Sequence, residues 1–105
     1  MAEKLTIEAY QTFNEKRFTK KDLFKLETST VFVLNFLPGQ AMPAHRHPDH
    51  ELVFNCLQGS GELSLGDHTF TLHEQEVAYG SGDEMIAFKN TGDENVSIQV
   101  VMYRK

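Results

Sequence analysis

The fold turns on the stretch Gly39-Gln40-Ala41-Met42-Pro43-Ala44-His45-Arg46-His47-Pro48-Asp49-His50-Glu51, which continues through Leu52–Leu57 to Gly59-Ser60-Gly61. Three of the five histidines fall within six residues here. Side chains two residues apart on an extended strand are about 6.6 Å apart along the chain and point to the same face. Neutral imidazoles placed in that way, His45 and His47, converge on one divalent ion, with a nearby carboxylate as a hard third ligand. Glu51 is the candidate for that ligand and His50 the reserve. The plain alternative is a polar loop, since Pro48 and Asp49 sit between the histidines and the carboxylate.

Working outward, the chain reads as short strands separated by turn signals. Lys20–Thr28 and Thr30–Leu37 form a first pair around a polar turn, with Pro38-Gly39 at its end. Val31, Phe32, Val33, Leu34 and Phe36 are the β-branched, aromatic and aliphatic residues that a buried pleated strand favours. Glu62–Leu65 and Thr69–Leu72 flank Gly66-Asp67-His68 as a hairpin. Val77–Tyr79, Met85–Lys89 and Val96–Tyr103 follow, divided by Gly80-Ser81-Gly82-Asp83 and Asn90-Thr91-Gly92-Asp93. About eight strands at a spacing of roughly 8–12 residues predict an all-β sandwich or barrel. Residues 1–17, polar with scattered apolar positions, read as an N-terminal arm, and 18–105 as a single barrel domain.

Composition narrows the classes. The 105 residues carry ten basic and fifteen acidic side chains, a net charge of −5. That sign argues against a nucleic-acid partner, whose binders carry a basic stripe. The longest apolar run, Val31 to Leu37, is broken by Asn35 and is far short of the ~20 residues that span a bilayer. Met1-Ala2-Glu3-Lys4 opens no apolar signal segment. The single Cys56 has no internal disulfide partner and fits a reducing cytoplasm. It alternates with Phe54 and Leu52, so it reads as a small inward-facing hydrophobe. Lys16-Arg17 and Lys20-Lys21 read as a solvated basic patch, and His68 and His73 as solvated too. Phe32, Phe36, Phe70 and Leu72 read as core.

The stretch Gly39–Gly61 resembles the first motif of the cupin superfamily: a glycine, five residues, His-x-His, three or four residues, a glutamate, and a glycine after six more. Gly39, His45, His47 and Gly59 stand in register, and the likeness extends over about 18–103. It implies a small single-domain cupin of the type-2 conserved-barrel kind, an all-β double-stranded β-helix or cupin-like jelly roll. Two departures stand out. Counted back from Gly59, the motif's glutamate falls on Leu52, so either a one-residue bulge slides Glu51 into place or the carboxylate is lost. In the second motif, anchored on Asn90, the histidine falls on Ile86 and the proline on Ser81. A full three-histidine, one-glutamate centre is therefore absent.

Removing those two donors leaves Leu52 and Ile86, with Met42, Phe54 and Phe88, on the inner wall. These residues either line a ligand pocket or fill a closed core. The resemblance then implies three functions. One is a stand-alone cupin that holds a small organic ligand, with a weak divalent metal (Fe, Mn, Ni or Zn) or none. Another is a metal-dependent dioxygenase, isomerase or decarboxylase using His45, His47 and Glu51 or His50. The third is a sensory module, as in cupins fused to DNA-binding domains, and this chain shows no such domain. Fold alone does not choose between a binder and an enzyme. A homodimer is expected, with the arm covering an open strand edge.

Overall fold

The computed structural model of the protein describes residues 2–105, so Met1, the first residue of the expected arm, lies outside the described residues. Nine strands follow a short 3-10 turn at Ile7–Tyr10: β1 (Thr19–Lys25), β2 (Ser29–Phe36), β3 (Ala41–His45), β4 (His50–Gln58), β5 (Ser60–Leu65), β6 (His68–His73), β7 (Val77–Ser81), β8 (Ile86–Lys89) and β9 (Val96–Arg104). They form two antiparallel sheets, one ordered β1-β2-β9-β4-β7 and the other β3-β8-β5-β6. The strand spacing predicts an all-β protein, and the resemblance to cupins the jelly roll seen here. β3 is the strand the residue pattern did not announce, because Ala41-Met42-Pro43-Ala44 lacks β-branched residues. Pro43 is tolerated because β3 is an edge strand, bonded only to β8.

The pleat decides which side chains enter the interior. Phe32, Leu34 and Phe36 of β2, Leu52, Phe54 and Cys56 of β4, and Ile98 and Val100 of β9 alternate inward from the larger sheet. Met42, Leu63, Leu65, Leu72, Ile86 and Phe88 face them from the smaller one. Each buried side chain of this size contributes about 1.5–3 kcal/mol by leaving water. Phe36 stacks on Phe18 at 5.2 Å and meets Phe88 at 4.8 Å between ring centroids.

Phe70, expected in the core, is instead 39% exposed. It lies on β6, the edge of the smaller sheet, where only Leu72 is buried. Its pattern has the period of a strand, but no second layer covers that part of it.

The arm is tied to its own barrel. Asn35 Nδ2 donates to the Tyr10 carbonyl at 2.9 Å, Thr19 Oγ1 to Thr12 O at 2.6 Å, and Gln40 Nε2 to Asn14 O at 2.6 Å. Asn35 is fully buried and also donates to Thr19 Oγ1, while its Oδ1 accepts from Ser97 Oγ at 2.7 Å. Asn90 makes a second buried polar knot. Its Nδ2 donates to Phe36 O and Glu94 O, its Oδ1 accepts from Gly92 N, and its backbone pairs with Gly39 and Gln40. Asn90 thus holds the turn before β3 against the loop after β8, a structural role. Gly59, between β4 and β5, has φ +73°, and a Cβ there would collide with the Asn95 carbonyl.

Candidate functional site

Between the two sheets, on the side of β1 and β3, lies a cavity of about 360 Å³. Its wall is hydrocarbon from Phe32, Leu34, Leu52, Phe54, Ile86 and Val100, and its polar side chains are three bases: Lys20, His45 and His47. Of the expected pocket residues, Met42, Leu52, Phe54 and Ile86 line it. Phe88 does not; it is turned into the core against Phe36 and the backbone of Gly61. Phe18 and Lys20 line it unannounced. Lys20 read as part of a charge cluster, but the register Lys20↔Leu34 puts it on the inward face of β1 together with Asp22. Alternation with Phe18 was the signal available in the sequence.

His45 ends β3, whereas His47 lies beyond the strand in the loop to β4, so the two do not share a strand as expected. Their rings meet nonetheless. The two Nε2 atoms are 3.0 Å apart, the centroids 4.7 Å apart and the planes at 86°. His45 Nδ1 is 2.8 Å from the Pro43 carbonyl, which can only accept, so the proton sits on Nδ1 and Nε2 presents a lone pair. His47 Nε2–H donates to that lone pair. Burial, first, and then the neighbouring His45, His50 and Lys20 push the pKa of His47 below its ordinary value, which favours the neutral ring this hydrogen bond needs.

Backbone contacts fix the histidine loop. His47 N donates to Gly82 O and Gly82 N to His50 O, both at 2.8 Å. Pro48-Asp49 forms a turn closed by His50 N on His47 O, with Asp49 at φ 66°. Gly82 is required here, since a Cβ would overlap the carbonyl oxygens of both His47 and His50. Asp83 Oδ1 accepts from Asp49 N, Asp83 O from Arg46 Nε, and Lys105 Nζ bridges Asp83 and Ser81. The end of β7 and the Gly82-Asp83 turn thus act as a clamp on His45-Arg46-His47.

Glu51 is not brought to the imidazole pair. The β4 register runs without a shift from His50 to Cys56 against β9 and from Glu51 to Asn55 against β7, so no bulge turns its side chain inward. Leu52 takes the inward position, and Glu51 accepts a hydrogen bond from the Tyr79 hydroxyl on the outer face. That bond raises the Tyr79 pKa. His50, the reserve, has its Nδ1 2.9 Å from the Pro48 carbonyl and does not line the cavity. Among the described residues no group of three His, Cys, Asp or Glu side chains is placed to hold a metal ion. Ile86 is the cross-strand partner of His45. The four positions around the site are therefore His45, His47, Leu52 and Ile86: two donors and two hydrocarbons. A closed four-donor metal centre does not fit these residues. A two-imidazole chelate does: two nitrogens at ~2.1 Å from one ion and at a right angle to each other are about 3.0 Å apart.

Cys56 is buried, its Sγ within hydrogen-bond reach of the Gln58 and Gly59 carbonyls, and burial pushes its pKa to about 11. It is a packing residue. His68 and His73 are exposed, the latter beside Glu76 at 2.9 Å. No described helix is long and apolar enough to cross a membrane.

The comparisons bear on the fold. No curated protein matches the chain by sequence. Among solved structures, it superimposes on the TT1209 protein of Thermus thermophilus with a TM-score of 0.93 at 20% identity, covering 98% of each chain. It is also similar to an RmlC-like cupin protein from Desulfovibrio desulfuricans (TM-score 0.82, 23% identity, 98% of this chain and 96% of that one). The cupin domain of an XRE family transcriptional regulator from Enterobacter cloacae follows at a TM-score of 0.78 and 17% identity, over 84% of this chain and 97% of that one. At these identities the likeness is one of fold. The family model described as "Cupin domain" matches residues 32–103, which takes in β3 to β8, most of β2 and β9 and the histidine loop, and the chain belongs to the cupin family.

Proposed function

We propose that this protein binds a small, predominantly apolar organic ligand inside its barrel. The observation that carries the reading is the 360 Å³ cavity with hydrocarbon on its walls and basic side chains at one side. Small-molecule sites have this form: an apolar concavity with a few polar groups that fix orientation. The internal hydrogen bond between His45 and His47 leaves neither ring nitrogen of that contact unpaired, so an apolar occupant strands no polar atom there. The single buried Cys56 supports a reducing, cytoplasmic setting. Toluene, an unspecialised apolar filler, is expected to raise the melting temperature, as apolar cavities take up such molecules. Leu52→Phe, which fills the space, is expected to abolish that rise. Wild type that melts identically with and without toluene would refute the reading.

A second reading rests on the 3.0 Å separation of the two Nε2 atoms. His45 and His47 would hold one divalent ion (Fe, Mn, Ni or Zn), with water or ligand oxygens completing the shell. Such an ion supplies Lewis-acid polarisation of an oxygen on the ligand. Pro43 O holds His45 in the tautomer that presents Nε2, as a ligating imidazole requires. With hydrocarbon at Leu52 and Ile86, affinity is expected to be weak. Melts with each metal are expected to show stabilisation that His45→Ala/His47→Ala removes and Ile86→His strengthens. A double variant as responsive as wild type would place any metal elsewhere.

A further inference from the structure

We propose that the cavity selects amphiphilic monoanions, a single carboxylate on a small apolar body, with Lys20 as the residue that recognises the charge. This rests on the ligand-binding reading above. No carboxylate lines the cavity; its polar side chains are all nitrogen bases, on a chain whose net charge is −5. Of the three, Lys20 is the permanent cation. Its ammonium stands 4.6 Å from the centroid of the Phe32 ring, which holds it against the cavity wall. Lys20 is paired with Asp22 at 3.1 Å, and Asp22 has a second cation, Lys25, at 3.9 Å. The trio carries one positive charge in excess. A ligand carboxylate that takes Lys20 therefore leaves Asp22 with Lys25, and no charge is stranded. A second depression shares Phe18 and Lys20 with the cavity and adds Arg17 and Lys21, so the basic surface continues outward from the mouth. An anion approaching this corner meets local attraction against the overall sign of the protein.

The experiment compares phenylacetate with its neutral isostere phenylacetamide by calorimetric titration at low salt. The acid is expected to bind at least tenfold more tightly. The preference should vanish in Lys20→Met and persist in Lys20→Arg; Lys20 is exposed enough for both variants to fold, which circular dichroism verifies. Equal affinity for acid and amide, or an acid preference that survives in Lys20→Met, overturns the inference and leaves the cavity reading standing. If neither compound binds while toluene still raises the melting temperature, the inference alone fails. If toluene is without effect as well, the cavity reading falls with it.

Discussion

His47 carries its ring into a wall of hydrocarbon, and its titration follows from that. Burial lowers its folded pKa beneath the ordinary 6.5. Above pH 6.5 the ring is neutral in both states and contributes nothing to the pH dependence. As pH falls through 6.5 the unfolded chain takes up a proton that the folded ring resists, so stability declines until the lowered folded pKa is reached. Urea denaturation at pH 7.5 and 5.0, with a chelator present, is expected to show a larger loss for wild type than for His47→Gln. An equal loss in both would mean that His47 titrates as if in water. The residue scale is also where the sequence was hardest to read. His45 was legible because it stands two residues from His47, in register with Gly39 and Gly59. Lys20 was not, since its neighbours Lys16, Arg17 and Lys21 made it look like one more solvated charge.

At the scale of elements, parity and turns decide what the site contains. Glu51 and Leu52 are adjacent, and a period of two lets only one face inward. A continuous β4 ladder gives that place to Leu52 and hands Glu51 to Tyr79. Sequence spacing could pose this choice but not make it, because a bulge is set by contacts with β7 and β9. The stretch Gly80-Ser81-Gly82-Asp83, where β7 passes into a turn, shows the converse. Only its second glycine, Gly82, lies against the His47 and His50 carbonyls, a contact between segments more than thirty residues apart. Gly82→Ala is expected to cost about 1–3 kcal/mol by forcing those backbones apart, read as a lower urea midpoint with an unchanged slope. Because the turn also places His47, the imidazole pair should separate, visible as altered histidine ring signals in NMR spectra. An Ala variant as stable as wild type would mean that the loop yields freely.

Over the whole molecule, eight of the nine strands were legible because runs such as Val31–Phe36 and Val96–Tyr103 alternate between turn-forming glycines and asparagines. β3 was hidden by Met42-Pro43, and Phe70 by a sheet edge that nothing covers. Whether the inner wall was solid or hollow could not be read from one-dimensional pattern, because it depends on how far the two sheets close at β1 and β3.

β1 is bonded on one side only, to β2, and its register slips between Asp22 and Phe24. The strand that bears Lys20 on the cavity's rim is therefore open along one edge, while β4 and β9 are locked between neighbours on both sides. Local opening draws on such weakly held segments. How long a guest stays would then be set by the fraying of seven residues rather than by the strength of the walls. Amide exchange in Thr19–Lys25 is expected to slow when the barrel is filled, with β4 and β9 unaffected; uniform slowing would mean that the whole barrel breathes as one. If the barrel does hold a guest, its rigid walls would still let that guest leave through an open strand edge.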